Sequence, residues 1–321
     1  MGEPIEIQHG DAASTDASRG GGSGARPATA GPQPDGATRG AQSRSAALRN
    51  RVRDQRRSPA RPRIWFELAL IGISYWIYSI VRNAVPEQAS IAQKHASWIW
   101  DLEQWLGIAV ERSVNHTVDG VGWLIVGMNY YYATLHFIVT IGVLVWLYRR
   151  HPGRYVAART VLFVTTAIAL VGFYFFPLAP PRLMTDGGFI DTVAVHHTWG
   201  SMASGPAKHV SNQFAAMPSM HIGWSMWCGL AIFFLARRTW VRVLGLLYPL
   251  ATLVVIVSTA NHFWMDAVGG EICLLAGFLA ARWLYHSWVF QLPQVPARER
   301  AEEPITVPEQ WSEPAASSAR R

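Results

Sequence analysis

Residues 215–238 read AAMPSMHIGWSMWCGLAIFFLARR, and this stretch decides the fold class. From Met220 to Ala236 its only titratable side chains are His221 and one cysteine, and two arginines follow directly. About 20 mostly apolar residues in a helix cross a bilayer, and arginines collect on its cytoplasmic side. The stretch is therefore predicted to be a membrane-spanning helix whose histidine-bearing end faces outward. An ionisable group at that end is costly to bury, so His221 either faces water or takes part in chemistry.

The composition of the whole chain agrees with a membrane protein. Of 321 residues, 50% are hydrophobic and only 15% are charged, and 15 are tryptophan. An ordinary soluble domain carries about 25% charged residues. The net charge of +7 comes from arginines gathered in the N-terminal region and in short loops. This is the pattern of a topology signal and not of a nucleic-acid-binding face, so no nucleic acid partner is expected.

Six stretches are apolar and long enough to be candidate spans. They lie at residues 64–85, 122–148, 160–177, 220–236, 241–259 and 267–288. We therefore predict an all-α, polytopic membrane protein with about six transmembrane helices in a bundle. Arginines between residues 149 and 159 and between 237 and 242 indicate cytoplasmic loops, and six spans then put both termini in the cytoplasm. The intervening connections, 86–121, 178–219 and 260–266, are expected outside, and the protein is expected in the plasma membrane.

The segments around the spans have distinct compositions. Residues 1–60 combine Gly, Ala, Ser, Pro and Arg with almost no large apolar side chain, which predicts a disordered, basic cytoplasmic tail. Residues 291–321 are likewise predicted to be a disordered cytoplasmic tail, leaving 64–288 as the membrane-embedded domain. Within that domain, 91–112 (IAQKHASWIWDLEQWLGIAVER) sets tryptophans and isoleucines against charged residues that include Glu103. This pattern predicts an interfacial amphipathic helix.

The predicted topology brings three polar stretches to the outer face: FPLAPPRLM (176–184), MPSMH (217–221) and ANHFWMDAVGG (260–270). His262 and Asp266 are four residues apart and share one face if a helix begins near His262. A carboxylate bonded to one ring nitrogen leaves the other nitrogen free to attack an electrophile. The alternative is an ion pair at a helix entrance.

Three further residues suit phosphoryl chemistry at the same place. His221 supplies a second imidazole that can protonate a leaving oxygen. Ser219 follows Pro218 at a helix start, where its hydroxyl and free N–H groups can hold an anion, or it is a simple N-cap. Arg182 follows two prolines and offers a planar donor to a phosphoryl group, or it reaches lipid phosphates. Together with the His262–Asp266 pair, they indicate phosphoryl transfer.

The motifs PSMH (218–221) and HFWMD (262–266) resemble the P-S-x-H and H-x-x-x-D motifs of the type 2 phosphatidic acid phosphatase superfamily. The stretches WDLEQWLGI (100–108), NYYYATLHF (129–137) and PLAPPR (177–182) resemble its inositol phosphorylceramide synthase-like branch. The resemblance covers about residues 64–288. It implies an enzyme that acts on a lipid phosphate or phospholipid without a metal or other cofactor.

The resemblance also implies a role for each matched residue. His262 attacks phosphorus to form a phosphohistidine, Asp266 orients it, and His221 protonates the departing alkoxide. Arg182 and Ser219 bind the phosphate. The superfamily motifs carry two further cations, and the corresponding positions of this chain hold Phe175 and Ile256. The phosphate charge must then be met by fewer cations, or by Lys208, His209 or another group of the outer loop.

Several alternatives stay open at this level. A water acceptor makes the enzyme a phosphatase, and an alcohol acceptor makes it a phosphotransferase. A lipid transporter or a protein that binds anionic headgroups would carry the same polar cluster without catalysis. His196, His197 and His209 raise a metal site as a rival, although they lack the usual ligand spacing. His136, Asn129 and the tyrosines at 130–132 either line the site or make structural contacts.

Overall fold

The computed structural model describes residues 62–84, 89–198 and 213–296. Within these ranges the chain is helical apart from short connections, and extended backbone pairs only in an isolated bridge between Leu178 and Ala215. The predicted all-α fold is confirmed. The predicted N-terminal tail lies outside the described residues, as does the predicted C-terminal tail from residue 297 onward.

Ten α-helices lie in the described ranges. They are α1 (Ile64–Ala84), α2 (Ala89–Trp105), α3 (Glu111–Asp119), α4 (Gly122–Tyr130), α5 (His136–Arg150), α6 (Pro152–Phe175), α7 (Thr192–Val195), α8 (Met220–Leu235), α9 (Thr239–Ser258) and α10 (Trp264–Tyr285). A π-helical turn, Tyr131–Leu135, joins α4 to α5, and 3₁₀ turns occur at Pro181–Leu183 and Val289–Gln291.

Four helical segments of the described chain are long and apolar enough to cross a membrane: Gly122–Arg150, Pro152–Phe175, Thr239–Ser258 and Trp264–Tyr285. Two more are apolar but shorter, Ile64–Ile77 and Met220–Leu235. Each of the six predicted spans thus corresponds to an apolar helix. Length and composition support four of them as spans, and the total of about six stays a prediction.

The loop predicted between the second and third spans is almost absent. His151 alone separates α5 from α6, because Pro152 occupies the first turn of α6, where its missing N–H leaves no bond unmade. Arg159, predicted in this loop, therefore lies within α6 and contacts Glu67 of α1. The Tyr155 hydroxyl donates a 2.7 Å hydrogen bond to the same buried carboxylate. The three side chains attach α1 to the bundle.

The predicted interfacial helix is divided in two. Gly107 has a φ of 71°, a left-handed conformation that terminates helices, and the Ile108 N–H donates back to the carbonyl of Glu103. The helix α2 therefore ends at Trp105, and α3 begins at Glu111. The tryptophan at 105 is largely exposed, as the interfacial pattern predicts, whereas the Glu103 side chain is completely buried.

Small residues allow α10 to approach its neighbours closely. A Cβ on Gly270 would lie 2.3 Å from the carbonyl oxygen of Ser219 at the start of α8. A Cβ on Gly277 would lie 2.4 Å from the Thr165 hydroxyl of α6. Backbone contact through small residues is a common means of packing membrane helices. It fixes the N-termini of α8 and α10 side by side, and these termini carry the two sequence motifs.

Candidate active site

The three polar stretches meet at one end of the bundle, as predicted. Backbone hydrogen bonds join them: Leu178 N–H to Phe214 O at 2.7 Å, Arg182 N–H to Ala260 O at 2.9 Å, and Ser219 N–H to Asp266 O at 2.8 Å. The last bond connects the PSMH motif directly to the HFWMD motif. All five predicted site residues therefore lie in these connected segments.

His262 and Asp266 form the buried pair that their spacing predicts. His262 Nδ1 lies 3.1 Å from Asp266 Oδ2, and that oxygen also accepts the Phe263 N–H at 3.0 Å. Because the carboxylate can only accept, Nδ1 carries the hydrogen. His262 Nε2 is buried and has no hydrogen-bond partner among the described residues. In the neutral ring this nitrogen bears the lone pair, which is the arrangement of an oriented nucleophile.

A tight turn after α9 delivers His262 to this position. Ala260 has a φ of 50°, in the left-handed region that few non-glycine residues adopt. The Asn261 N–H then donates to the carbonyl of Ile256 at 3.0 Å and closes the end of the helix. The chain reverses within a few residues, so His262 lies immediately before the first turn of α10 at Trp264.

His221 lies in the first turn of α8, within an aromatic cluster. Its ring stacks on Tyr132 with centroids 4.1 Å apart and an interplanar angle of 18°. The centroids of His136 and His262 lie 4.2 Å and 5.5 Å from it. Two imidazoles at this separation can share the acid and base roles of one reaction.

Ser219 is completely buried at the N-cap position of α8. Its hydroxyl makes no capping bond, and its Oγ has no partner among the described residues. The N-cap alternative therefore does not account for this side chain. A buried hydroxyl without a partner next to a helix N-terminus suits an anionic ligand.

Arg182 points into the protein, with only 15% of its side chain exposed. Its Nε donates to Asn261 Oδ1 at 2.9 Å, and its Nη1 donates to Asp191 Oδ2 at 3.2 Å. The alternative in which it reaches lipid headgroups does not fit this arrangement. Asn261 precedes His262, so the guanidinium is held against the segment that carries the candidate nucleophile.

Sequence reasoning missed two carboxyl groups beneath the site. Glu103 and Glu111, assigned to the polar side of the interfacial helix, are both completely buried. Glu103 Oε1 accepts the Met265 N–H at 2.8 Å, and Glu111 Oε1 accepts the Trp264 N–H at 3.2 Å. Both carboxyls therefore cap the first turn of α10, the turn that carries Asp266. An N-terminus favours negative charge, which explains why acidic groups gather there.

The two carboxyl groups lie next to each other, and the Oε2 atom of each is buried without another partner among the described residues. Burial, reinforced by the adjacent Glu111, raises the pKa of Glu103 to about 9. At neutral pH Glu103 therefore holds a proton, which it can donate to Glu111. The sequence indicates this pair only through two acidic residues, eight positions apart, in an amphipathic stretch.

The remaining polar residues of the second span divide between the site and the scaffold. The Asn129 amide donates to the carbonyl of Thr192 at 3.2 Å and accepts from that residue's hydroxyl at 3.0 Å. The Tyr131 hydroxyl lies 2.9 Å from Thr252 Oγ1. These are structural contacts between helices. Tyr132, in contrast, reaches the candidate histidines.

The rival metal site lacks a ligand set in the described chain. His196 Nε2 bonds to Asp119 Oδ1 at 2.8 Å, and no group of three or more His, Cys, Asp or Glu side chains there is arranged to hold a metal ion. Lys208 and His209, the candidate replacement cations, lie outside the described residues. Ile256, at one of the two positions where the superfamily motifs carry a cation, is completely buried and has an apolar side chain.

Comparison with protein families identifies one match. A family model described as the PAP2 superfamily matches residues 97–280, which is more than half of the chain. The matched region begins in α2 and ends near the end of α10, and it includes every residue of the cluster described above. No curated protein and no solved structure gave a match.

Proposed function

The chain belongs to the PAP2 superfamily, and on this basis we propose that it is an integral membrane lipid phosphatase or phosphotransferase acting through a phosphohistidine at the outer membrane face. The proposal rests mainly on the hydrogen bonding of the two ring nitrogens of His262. One ring nitrogen is bonded to a buried carboxylate, and the other is buried without a partner among the described residues.

In the first half-reaction, His262 Nε2 attacks the phosphorus of a lipid phosphate or phospholipid. The P–N bond forms as the P–O bond to the lipid alcohol breaks, and His221 gives its proton to the departing oxygen. Asp266 keeps the attacking ring in the correct tautomer and stabilises the positive charge that develops on it. The ring centroids of His262 and His221 lie 5.5 Å apart, so a phosphoryl group bonded to His262 lies close to the second imidazole.

The phosphoryl oxygens are bound by Arg182, by the Ser219 hydroxyl and by the N-terminus of α8. A guanidinium and free N–H groups stabilise the charge that spreads over the oxygens in the transition state. In this proposal Arg182 keeps its bond to Asn261 and exchanges its contact with Asp191 for the ligand. No metal or other cofactor takes part.

In the second half-reaction, an oxygen nucleophile attacks the phosphorus of the phosphohistidine and His221 removes its proton, so a new P–O bond forms as the P–N bond breaks and His262 Nε2 is released. Water as the acceptor gives a phosphatase, and an alcohol gives a phosphotransferase. Because three stretches resemble the inositol phosphorylceramide synthase-like branch, transfer to an alcohol is the second candidate activity. Both outcomes use the same first half-reaction.

The distribution of arginines supports the proposed orientation in the membrane. Arg149, Arg150, Arg237 and Arg238 lie at or just beyond the C-terminal ends of α5 and α8, whereas the histidine cluster lies at the N-terminal ends of these helices. By the positive-inside rule, the arginine end faces the cytoplasm and the histidine end faces outward.

One assay tests the activity and its outcome together. Purified protein in lipid–detergent micelles is incubated with phosphate-labelled phosphatidic acid, with and without an added alcohol such as inositol. Release of inorganic phosphate supports the phosphatase, and label on the alcohol supports the phosphotransferase. A folded His262→Ala variant with unchanged turnover would contradict the phosphohistidine mechanism, and lipid binding by the wild type without turnover would favour a transporter or headgroup-binding protein.

A further inference from the structure

An open groove lies beside the histidine cluster, on the side formed by α8, α9 and α10. Its volume is about 670 Å³, within the range of about 300–1,000 Å³ that is usual for ligand sites. Apolar side chains such as Ile222, Met226 and Leu253 line most of it, and the turn between α2 and α3 covers one end. Two of the helices that form its walls, α9 and α10, are long and apolar enough to cross a membrane.

The groove is lined by residues that neighbour the candidate active site. Ile222 follows His221, and Trp264 lies two residues after His262. Ile222, Leu253 and Trp264 also belong to one packed cluster with Tyr132, whose ring stacks on His221. On α10 the lining runs from Trp264 to Glu271, seven residues or about 10 Å along the helix.

Two polar atoms in this apolar groove have no partner among the described residues. Glu271 Oε1 and Trp264 Nε1 are both buried without a hydrogen bond. They lie seven residues apart, two turns along one face of α10. A carboxyl group inside a membrane helix is costly and usually functional, and buried polar atoms without partners require an explanation.

We propose that this groove binds the hydrocarbon chains of the lipid substrate, and that Trp264 and Glu271 hydrogen-bond to the ester or amide linkages at the head of those chains. The inference rests on the proposed function, because it takes the phosphate to lie at His262. The Trp264 N–H donates to the carbonyl of one acyl linkage, and the Glu271 carboxyl, two helical turns further along α10, bonds to a polar atom of the second linkage. The preferred substrate is then an acyl-linked lipid phosphate and not an isoprenoid phosphate, which has no polar group below the phosphate.

The first test compares two substrates, dioleoyl phosphatidic acid and farnesyl phosphate. Glu271→Leu and Trp264→Phe each remove one hydrogen bond to the acyl-linked lipid. Each should therefore lower the kcat/KM for dioleoyl phosphatidic acid, divided by that for farnesyl phosphate, by about fivefold to tenfold. Glu271→Gln retains a hydrogen-bonding group and should keep the ratio within about twofold. An unchanged ratio in both Glu271→Leu and Trp264→Phe would overturn the assignment of the polar contacts.

The second test measures occupancy of the groove without relying on turnover. A phosphatidic acid with a photoreactive diazirine in its acyl chain is crosslinked, and the labelled peptides are mapped by mass spectrometry. Label should concentrate on the groove face of α8, α9 and α10. Val268→Trp, which fills the groove, should remove it, and Leu279→Trp, on the exposed surface of α10 outside the groove, should not.

The two tests separate the groove from the proposed function. Groove labelling without turnover of either lipid would contradict the proposed activity and still support the groove as a lipid site. Turnover with label spread evenly over the exposed helix surfaces, or with labelling unaffected by Val268→Trp, would overturn the groove and leave the activity intact.

Discussion

Replacing Glu103 tests whether the carboxyl pair stabilises the first turn of α10. Glu103→Gln should behave like the wild type at neutral pH, because a glutamine can accept the Met265 N–H and donate to Glu111 as the protonated carboxyl does. Glu103→Leu removes both bonds. It leaves a buried N–H and a buried carboxylate without their partner, at about 1–3 kcal/mol each, or about 2–6 kcal/mol of folding free energy in total.

The same pair predicts a dependence of stability on pH. The ordinary pKa of Glu103 is 4.5, and in the folded protein burial and the adjacent Glu111 raise this pKa to about 9. Between these values the folded protein binds a proton that the unfolded chain has released, so stability falls as pH rises. The contribution is fully present below pH 4.5 and is lost as the pH passes through about 9. Glu103→Gln carries no titrating proton and should remove this part of the alkaline loss.

Thermal unfolding of purified protein in micelles, followed by intrinsic tryptophan fluorescence at pH 6, 7.5 and 9, measures both effects. The expected order at pH 6 is wild type and Glu103→Gln together, with Glu103→Leu well below them. At pH 9 the wild type should lose more stability than Glu103→Gln. Equal destabilisation by Gln and Leu, or an alkaline loss that persists unchanged in Glu103→Gln, would refute the arrangement in which Glu103 donates its proton to Glu111.

Three further substitutions test other parts of the structure. Asp266→Asn should lower kcat by about 10³–10⁴-fold with little change in KM, as measured by steady-state kinetics, because it removes the charge that orients and stabilises the His262 ring. Gly270→Ala places a Cβ against a carbonyl of α8 and should cost about 1–3 kcal/mol in unfolding experiments and reduce activity, whereas Gly142→Ala, with nothing within 4 Å, should cost nothing. Arg159→Leu leaves the Glu67 carboxylate buried without its cation and should cost about 3–5 kcal/mol, and a Glu67→Leu second change should recover most of this loss.

Apolar length and spacing were sufficient to predict the helices and the pairing of His262 with Asp266. Every predicted span corresponds to an apolar helix, because the backbone must satisfy its own hydrogen bonds in a bilayer. The i, i+4 spacing also predicted the histidine–aspartate contact, because His262 lies just before the first turn of α10 and Asp266 lies within that turn. Local rules therefore predicted these features well.

Features that depend on tertiary contact could not be predicted in this way. Glu103 was read as a solvated residue of an amphipathic helix, and its burial depends on the first turn of α10, more than 150 residues further along the chain. The contacts of Arg182 with Asp191 and Asn261, and the packing of Arg159 on Glu67, likewise join distant segments. A single sequence shows which residues are charged, and only the fold shows which of them lack water.

The central claim is that His262 becomes covalently phosphorylated. Wild type, His221→Ala and His262→Ala are each incubated briefly with phosphate-labelled phosphatidic acid, quenched in base, digested and analysed by mass spectrometry. An acid-labile, base-stable phosphohistidine is expected at residue 262 in the first two proteins and none in His262→Ala. Rapid turnover with no adduct in wild type or in His221→Ala, or an adduct that persists in His262→Ala, would contradict this claim.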